Sequence, residues 1–591
     1  MTTKKYFCLL LWFAFFTIIG CQKEISNTGT STGGNGGESS QQYIITTIKI
    51  LVLNDKGIIV SKAKVQAENT VVYTDQFGIA ELKNVRVLAN KALVKINAPG
   101  YFEAYRTFAV DNKECYGKVK LQAYEMTGSL QSASGGTVNI GNEVTISFPP
   151  SAFINEINGS DYTGTVVVYG KYLNPEAPDF NLLMPGNLFA GDAGDFILRS
   201  FGMVNVEIKS PSNQPLKLKP NVKATIQATI PPSLTTTSPA SIPMWYFDTT
   251  KGLWIQEGTG TKQGNVYTGE VSHFTWWNYD AFYPRIYISG KVTDTSGTPV
   301  VNTLVTMSVA SMGIRLSCFT NNEGYFRTPS PPNVTCGFFL SSEGCNLTLY
   351  SFEVNAGSSD INVGTIVANS SSQNQFNITG NFQACSNQQV QGGSMKVYAQ
   401  NNFFEGRIIN GQAGISFSFC KDTVDALIIA EDSSTGKMYA TSARLYKNAP
   451  TNLGTQNICA SVSQKYIRYI VDNQMYYITG NSVDSLTSYY FSSSTPWVQV
   501  AHDNWSNPQN PKSKIYFNTN FGNGTGSVTL LKISDYPNLS NMGFNRELTN
   551  RFENYTNIPG SIIKGIMNGR MFDTGINQWR YIDVAYSVGQ K

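Results

Sequence analysis

Along most of this chain apolar and polar residues alternate one for one. Val144-Thr145-Ile146-Ser147-Phe148 does so, as do Met395-Lys396-Val397 and Gly414-Ile415-Ser416-Phe417-Ser418-Phe419. A period of two sends every second side chain to one face of a strand, so these stretches predict half-buried β-strands. Gly and Asp/Asn turns punctuate them at short intervals, which argues for antiparallel sheets folded as sandwiches. The alternation fails at the start. Phe7 to Ile19 is an unbroken apolar run behind Lys4 and Lys5, ending in Ile18-Ile19-Gly20-Cys21. Roughly a dozen apolar residues are too few to span a bilayer as a helix and suit the core of a secretion signal. Ser26 to Gln42, SNTGTSTGGNGGESSQQ, reads as a flexible tether because it has nothing to bury.

Two stretches repeat each other. The first has Ile48–Gly57 as a strand into an Asp-x-Gly turn, then Ala63-Lys64-Val65, then Thr74-Asp75-Gln76-Phe77-Gly78. The second has Ile288–Gly297, then Leu304-Val305, then Thr320-Asn321-Asn322-Glu323-Gly324. This order of strands and turns, with Ala98-Pro99-Gly100-Tyr101 near the end of the first copy, resembles the carboxypeptidase regulatory-like module. The resemblance covers 43–124 and 282–374 and implies a transthyretin-type, Ig-like seven-stranded sandwich. It extends to the accessory sandwich only; nothing matches a carboxypeptidase catalytic domain.

Between the copies, 125–281 carries Ser147-Phe148-Pro149-Pro150, Met184-Pro185-Gly186, Trp245-Tyr246-Phe247-Asp248 and Ser272-His273-Phe274-Thr275-Trp276-Trp277. It resembles the extracellular β region shared by the FAM171 proteins and the cartilage intermediate layer proteins. Residues 375–460 read as a degenerate third sandwich. Phe376-Asn377-Ile378-Thr379-Gly380 matches the opening strand, but the Thr-Asp-x-x-Gly turn is missing. Residues 461–591 form a further β domain, opening on a hairpin around Asp472-Asn473. The expected fold class is therefore all-β, with serial sandwich modules behind a leader and a linker.

Ile18-Ile19-Gly20-Cys21 resembles the lipobox of bacterial lipoproteins. That resemblance implies a signal peptide over 1–20, a diacylglycerol thioether on Cys21, a fatty-acylated (palmitate-type) new amino terminus and a tether over 21–42. Gln22-Lys23-Glu24 is loosely similar to the surface-export signal of Bacteroidetes lipoproteins. The implied location is the cell envelope, at the outer-membrane surface. The implied partners are the membrane through the lipid, then a glycan or a cell-envelope or host surface protein.

Composition narrows the classes. The net charge is +4 with 14% charged residues, which gives no electrostatic footprint for nucleic acid. Aromatics at 12% and 52 glycines suit an extracellular β protein. Nine cysteines are present. Cys8 leaves with the signal and Cys21 carries lipid. Cys115, Cys318, Cys336, Cys345, Cys385, Cys420 and Cys459 remain, an odd set clustered towards 318–459, where disulfides are expected. Cys385 follows the opening strand of its module and Cys420 ends a later one, so a Cys385–Cys420 bridge is the expected pairing.

Candidate chemistry is sparse. The histidines are His273 and His502, with no H-E-x-x-H, G-x-S-x-G, G-x-G-x-x-G or P-loop pattern, so no catalytic set, metal or cofactor is expected. The paired carboxylates Asp55/Asp75 and Asp192/Asp195 are too few for calcium, and Asp55, Asp75 and Asp294 read as turn residues. The Ser272–Trp277 strand reads as one that seals a sandwich. Trp497, His502 and Trp505, beside a polar loop, are the best candidates for ligand contact. These features add up to a non-enzymatic, lipid-anchored modular scaffold or adhesion protein. The alternatives are a surface glycan-binding or hydrolytic protein with its site in 461–591, or an assembly protein that donates strands.

Overall fold

The computed structural model describes residues 42–192, 194–341, 348–368 and 375–459, together with strands and turns between 466 and 590. Residues 1–41 lie outside the described residues, and the leader, Cys21 and the tether fall there.

The first module runs through seven strands: Tyr43–Asn54, Lys64–Ala67, Thr70–Tyr73, Ile79–Leu88, Ala92–Asn97, Ala104–Phe108 and Cys115–Leu121. One sheet has the order fourth-first-seventh and the other third-second-fifth-sixth. Ile48, Ile50, Val52, Val65, Leu82, Val94 and Ile96 fill the space between them. The third module repeats this plan. Its strands are Ile286–Thr293, Leu304–Val309, Ile314–Phe319, Tyr325–Ser330, Thr335–Ser341, Thr348–Asn355 and Ile361–Val367, in the same two orders. In both modules the first strand pairs antiparallel with the fourth and parallel with the seventh.

The turns explain the sequence repeat. Asp75 Oδ1 accepts the amides of Phe77 (2.8 Å) and Ile79 (2.9 Å). Asn321 Oδ1 does the same for Glu323 and Tyr325, at 2.9 Å each. Asp294 caps Ser296 and Thr298. In the remaining turn the cap is Asn54, which takes the amides of Lys56 and Ile58, so Asp55 is not the turn-forming side chain its spacing suggested. A short side-chain acceptor satisfies amides that a tight turn leaves unpaired. Each turn then needs a left-handed residue, supplied by Gly57, Gly78, Gly297 and Gly324 at φ of 79°, 73°, 84° and 77°.

Residues 375–458 form a third copy of the same plan, despite the missing turn motif. Strands Gln375–Ala384, Gly392–Ala399, Asn402–Ile409, Gln412–Ser418, Thr423–Asp432, Met438–Tyr446 and Thr451–Ile458 keep both strand orders. A single pair, Ile409↔Gln412, joins the third and fourth strands and merges the two sheets into one. This topology corrects the cysteine pairing. The first and seventh strands run parallel with Ala384 opposite Ile458, so the next residues, Cys385 and Cys459, lie side by side and form the disulfide, with Cα atoms 5.2 Å apart. The fourth strand is antiparallel, with Gln375 opposite Ser418, which carries Cys420 to the far end of the first strand. Cys420 is itself disulfide-bonded, but not to Cys385.

The second module, Met126 to Pro284, is a large sheet whose terminal strands Met126–Gln131 and Gly136–Ile140 meet at the Gln131↔Gly135 bridge. Curling brings one face inward around Ile146, Phe153, Val168, Phe201, Tyr267, Trp277 and Tyr279. Asp280 is fully buried beside Asn278 (2.5 Å), and burial pushes its carboxyl well above the usual range. Beyond 460, strands from Ser485 to Gln590 close on themselves, because Gln578–Gln590 pairs with both Ile562–Asp573 and Ser485–Phe491. The hairpin Tyr466–Val471 and Gln474–Thr479 adds to the same last strand.

The glycines differ in what surrounds them. A Cβ on Gly324 would run into the Val292 carbonyl oxygen, whereas one on Gly297 would meet nothing within 4 Å. Gly297→Ala should therefore cost only the left-handed penalty, about 1 kcal/mol. Gly324→Ala must also displace the backbone that closes its module, and should lower the thermal transition several degrees further by differential scanning calorimetry.

Candidate functional site

Besides cores of their own, the modules share apolar clusters. Tyr105 of the first module, Phe247, Trp254 and Trp276 of the second, and Ile288, Met307 and Phe338 of the third belong to one apolar cluster. Trp276 and Trp277 are neighbours on one strand, so alternation sends Trp276 into this shared core and Trp277 into the second module's own. Both indoles are buried, and His273 sits edge-on to Tyr246 with ring centroids 4.7 Å apart. The strand begins only at Trp276, and Ser272–Thr275 precede it as bends rather than as the strand their alternation suggested; with both indoles buried, this segment offers no open platform for a sugar.

The first and fourth modules meet across a second cluster, in which Phe77 stacks on Tyr398 (centroids 4.0 Å apart) beside Leu51, Leu53, Tyr116, Phe403 and Leu427. Lys49 lies at its edge, 5% exposed. Its ammonium bonds Glu405 of the fourth module and reaches Glu114 at 2.8 Å and Glu81 at 3.4 Å. Burial by itself would lower the Lys49 pKa; the three carboxylates outweigh it and hold the ammonium well above its ordinary range. One cation cannot serve three anions equally. Burial, reinforced by Glu405 and Glu81, holds the Glu114 carboxyl above its ordinary range despite Lys49, while Lys49 and Lys396 bring Glu81 down against its own burial.

A cleft of about 70 Å³ opens where the first three modules converge. Strands Ala104–Phe108 and Cys115–Leu121 form one wall and Ile314–Phe319 another, and the single helical turn Phe180–Leu183 brings Asn181 to it. Arg106 is 7% exposed and donates to the carbonyls of Asn181 and, at 3.3 Å, Gly186. Burial alone brings its pKa down to about 10, so it stays charged at neutral pH. The side-chain oxygens of Asn181 and Asn187 are buried with no hydrogen-bond partner. Cys115 and Cys318 both line the cleft as free thiols. Burial pushes Cys318 up to about 12 and Cys115 well above its usual value, so neither is a nucleophile at neutral pH. The rim is tied by Tyr325 Oη to Asp111 (2.7 Å) and Asn321 Nδ2 to the Glu114 carbonyl (2.8 Å).

Of the residues singled out from sequence, Trp497 and His502 belong to strand Trp497–Asp503, so His502 is on a strand rather than a loop. Their side chains and all of Trp505 lie outside the described residues, as does Cys345. Among the described residues no group of three or more His, Cys, Asp and Glu side chains is placed to hold a metal. Asp192 bonds Lys251 at 2.9 Å. The cleft was invisible to pattern reading because its residues come from three modules; its one local signal is Arg106, a lone charge between Tyr105 and Phe108.

No family model and no curated protein matches the chain. Solved structures with similar parts include a minor pilin of Streptococcus agalactiae, at 10% identity, covering 30% of this chain and 96% of that one, with a TM-score of 0.13. The major pilin subunit of Bacillus cereus gives 10% identity, 56% and 100% coverage and a TM-score of 0.12. A leucine-rich repeat protein from Bacteroides thetaiotaomicron gives 10% identity, 30% and 27% coverage and 0.13. At such scores these likenesses carry no argument about function.

The charge imbalance around Lys49 has opposite consequences for its members. Lys49→Ala strands buried carboxylates and should destabilise the contact by about 3–5 kcal/mol, read as an earlier urea transition. Glu114→Gln removes an acid whose folded-state pKa is raised. Such an acid holds its proton more tightly folded than unfolded, so the stability it lends is present at low pH and lost as pH rises through its folded pKa. The variant should match or exceed the parent at pH 7 and lose that advantage near pH 4.

Proposed function

We propose that this protein is a non-enzymatic, lipid-anchored scaffold or adhesion protein of a bacterial cell envelope, displayed at the outer-membrane surface. Cys21 carries the lipid, 22–42 acts as a leash, and the β modules are what the leash holds out. The observation that supports this reading most is the repetition of one sandwich plan three times, with the copies buried against one another. The apolar run ending at Ile18-Ile19-Gly20-Cys21 supports the anchor, since three acyl chains would hold a protein persistently where one alone binds only marginally. The outward partner is a glycan or another surface protein, met through surface complementarity.

Mass spectrometry of the mature protein tests the anchor. The expected amino-terminal residue is Cys21 carrying diacylglycerol and an amide-linked acyl chain; a free Cys21 thiol, or processing elsewhere, refutes it. A glycan array probed with the whole chain tests the glycan partner: selective binding supports it, and uniform silence leaves the purely structural scaffold ahead.

A further inference from the structure

The cleft of the first three modules has an unmet chemical demand. Arg106 carries five N–H donors, and the bonds it makes go to two main-chain carbonyls, neither of them charged. A buried guanidinium without an anion is poorly compensated. Asn181 and Asn187 add buried side-chain oxygens without partners. Buried polar groups are ordinarily satisfied, so unpaired ones grouped in a single cleft point to a ligand that pairs them. A hydroxyl both donates and accepts, so it matches either orientation of a carboxamide. Phe108, Tyr116 and Phe319 supply apolar wall, and aromatic edges and faces suit the C–H side of a sugar ring.

We propose that this cleft binds a carboxylated sugar, with the carboxylate on Arg106 and ring hydroxyls on Asn181 and Asn187. Lys113, Lys118 and Arg327 line the cleft with Arg106 and outnumber the acids Asp111 and Glu114, so the lining as a whole favours an acidic group. About 70 Å³ admits the acid group and adjoining hydroxyls of one residue and leaves the rest of a glycan outside. The proposal does not depend on the lipid anchor or on the scaffold reading.

Isothermal titration calorimetry tests it, using the whole chain in detergent with a galacturonate trimer, a neutral galactose trimer and inorganic phosphate. The acidic trimer should bind at least tenfold more tightly than the other two. Asn187→Asp, which sets a competing carboxylate beside the Gly186 carbonyl that Arg106 holds, should weaken acidic-trimer binding at least tenfold in a variant that still unfolds cooperatively by calorimetry. Asn187→Ala, a smaller change that does not depend on the new charge, should weaken it several-fold. Equal affinity for the neutral trimer, tighter binding of phosphate, or full binding by folded Asn187→Asp would each overturn the proposal, as would no measurable heat with any ligand.

Discussion

The parallel pairing of first and last strands is the constraint from which the rest of this architecture follows. In three modules the opening strand has the fourth strand on one edge and the seventh on the other. Parallel pairing makes the chain enter a module at one end and leave at the other, so successive modules are handed on head to tail. It also fixes which residues become neighbours beyond the last ladder pair. That is why Cys385 meets Cys459 across 74 positions. The turn glycines Gly78 and Gly324 lie against the same opening strand, whose Val52 and Val292 amides donate to the glycine carbonyls at 2.8 Å. The first strand of each module is thus its organising element in register, closure and packing.

Head-to-tail delivery would make a simple string if each module buried its apolar residues alone. Here it does not. Alternation gives every strand two faces, and many outward faces are apolar too, as Leu51 and Leu53 show beside Ile50 and Val52. The second faces need partners, and they find them in other modules. The first module therefore meets the second and third through one core and the fourth through another. At the latter contact the apolar surface is joined by Lys49 and its three carboxylates, which sets the relative position of two sheets far apart in sequence. Buried ions contribute little net stability but tolerate little misplacement. This contact specifies geometry more than it adds affinity.

Rigid convergence of modules also creates the cleft. Arg106, Asn181 and Ser317 belong to three modules, and Asn181 Nδ2 bonds Ser317 Oγ at 3.1 Å across two of them. A site built at such a junction exists only when all three modules are docked. Its polar groups would otherwise be hydrated and unremarkable. Any ligand the cleft binds would therefore require the docking of these three modules.

Period-two alternation and Gly-containing turns were enough to read an all-β chain of sandwich modules, because strand formation and tight turns are local. The Asp75, Asp294 and Asn321 caps act within five residues, so the repeat was legible too. Asn54 was misjudged in favour of Asp55, since both carry a suitable acceptor one position apart and only the backbone path selects between them. The third copy had lost its turn signature, yet strand order does not depend on that motif, and the fold survived its loss. Cysteine pairing, the shared cores and the cleft were not legible. Each joins residues tens to hundreds of positions apart, and their proximity is decided by which strand edges and which outward faces meet once the modules dock.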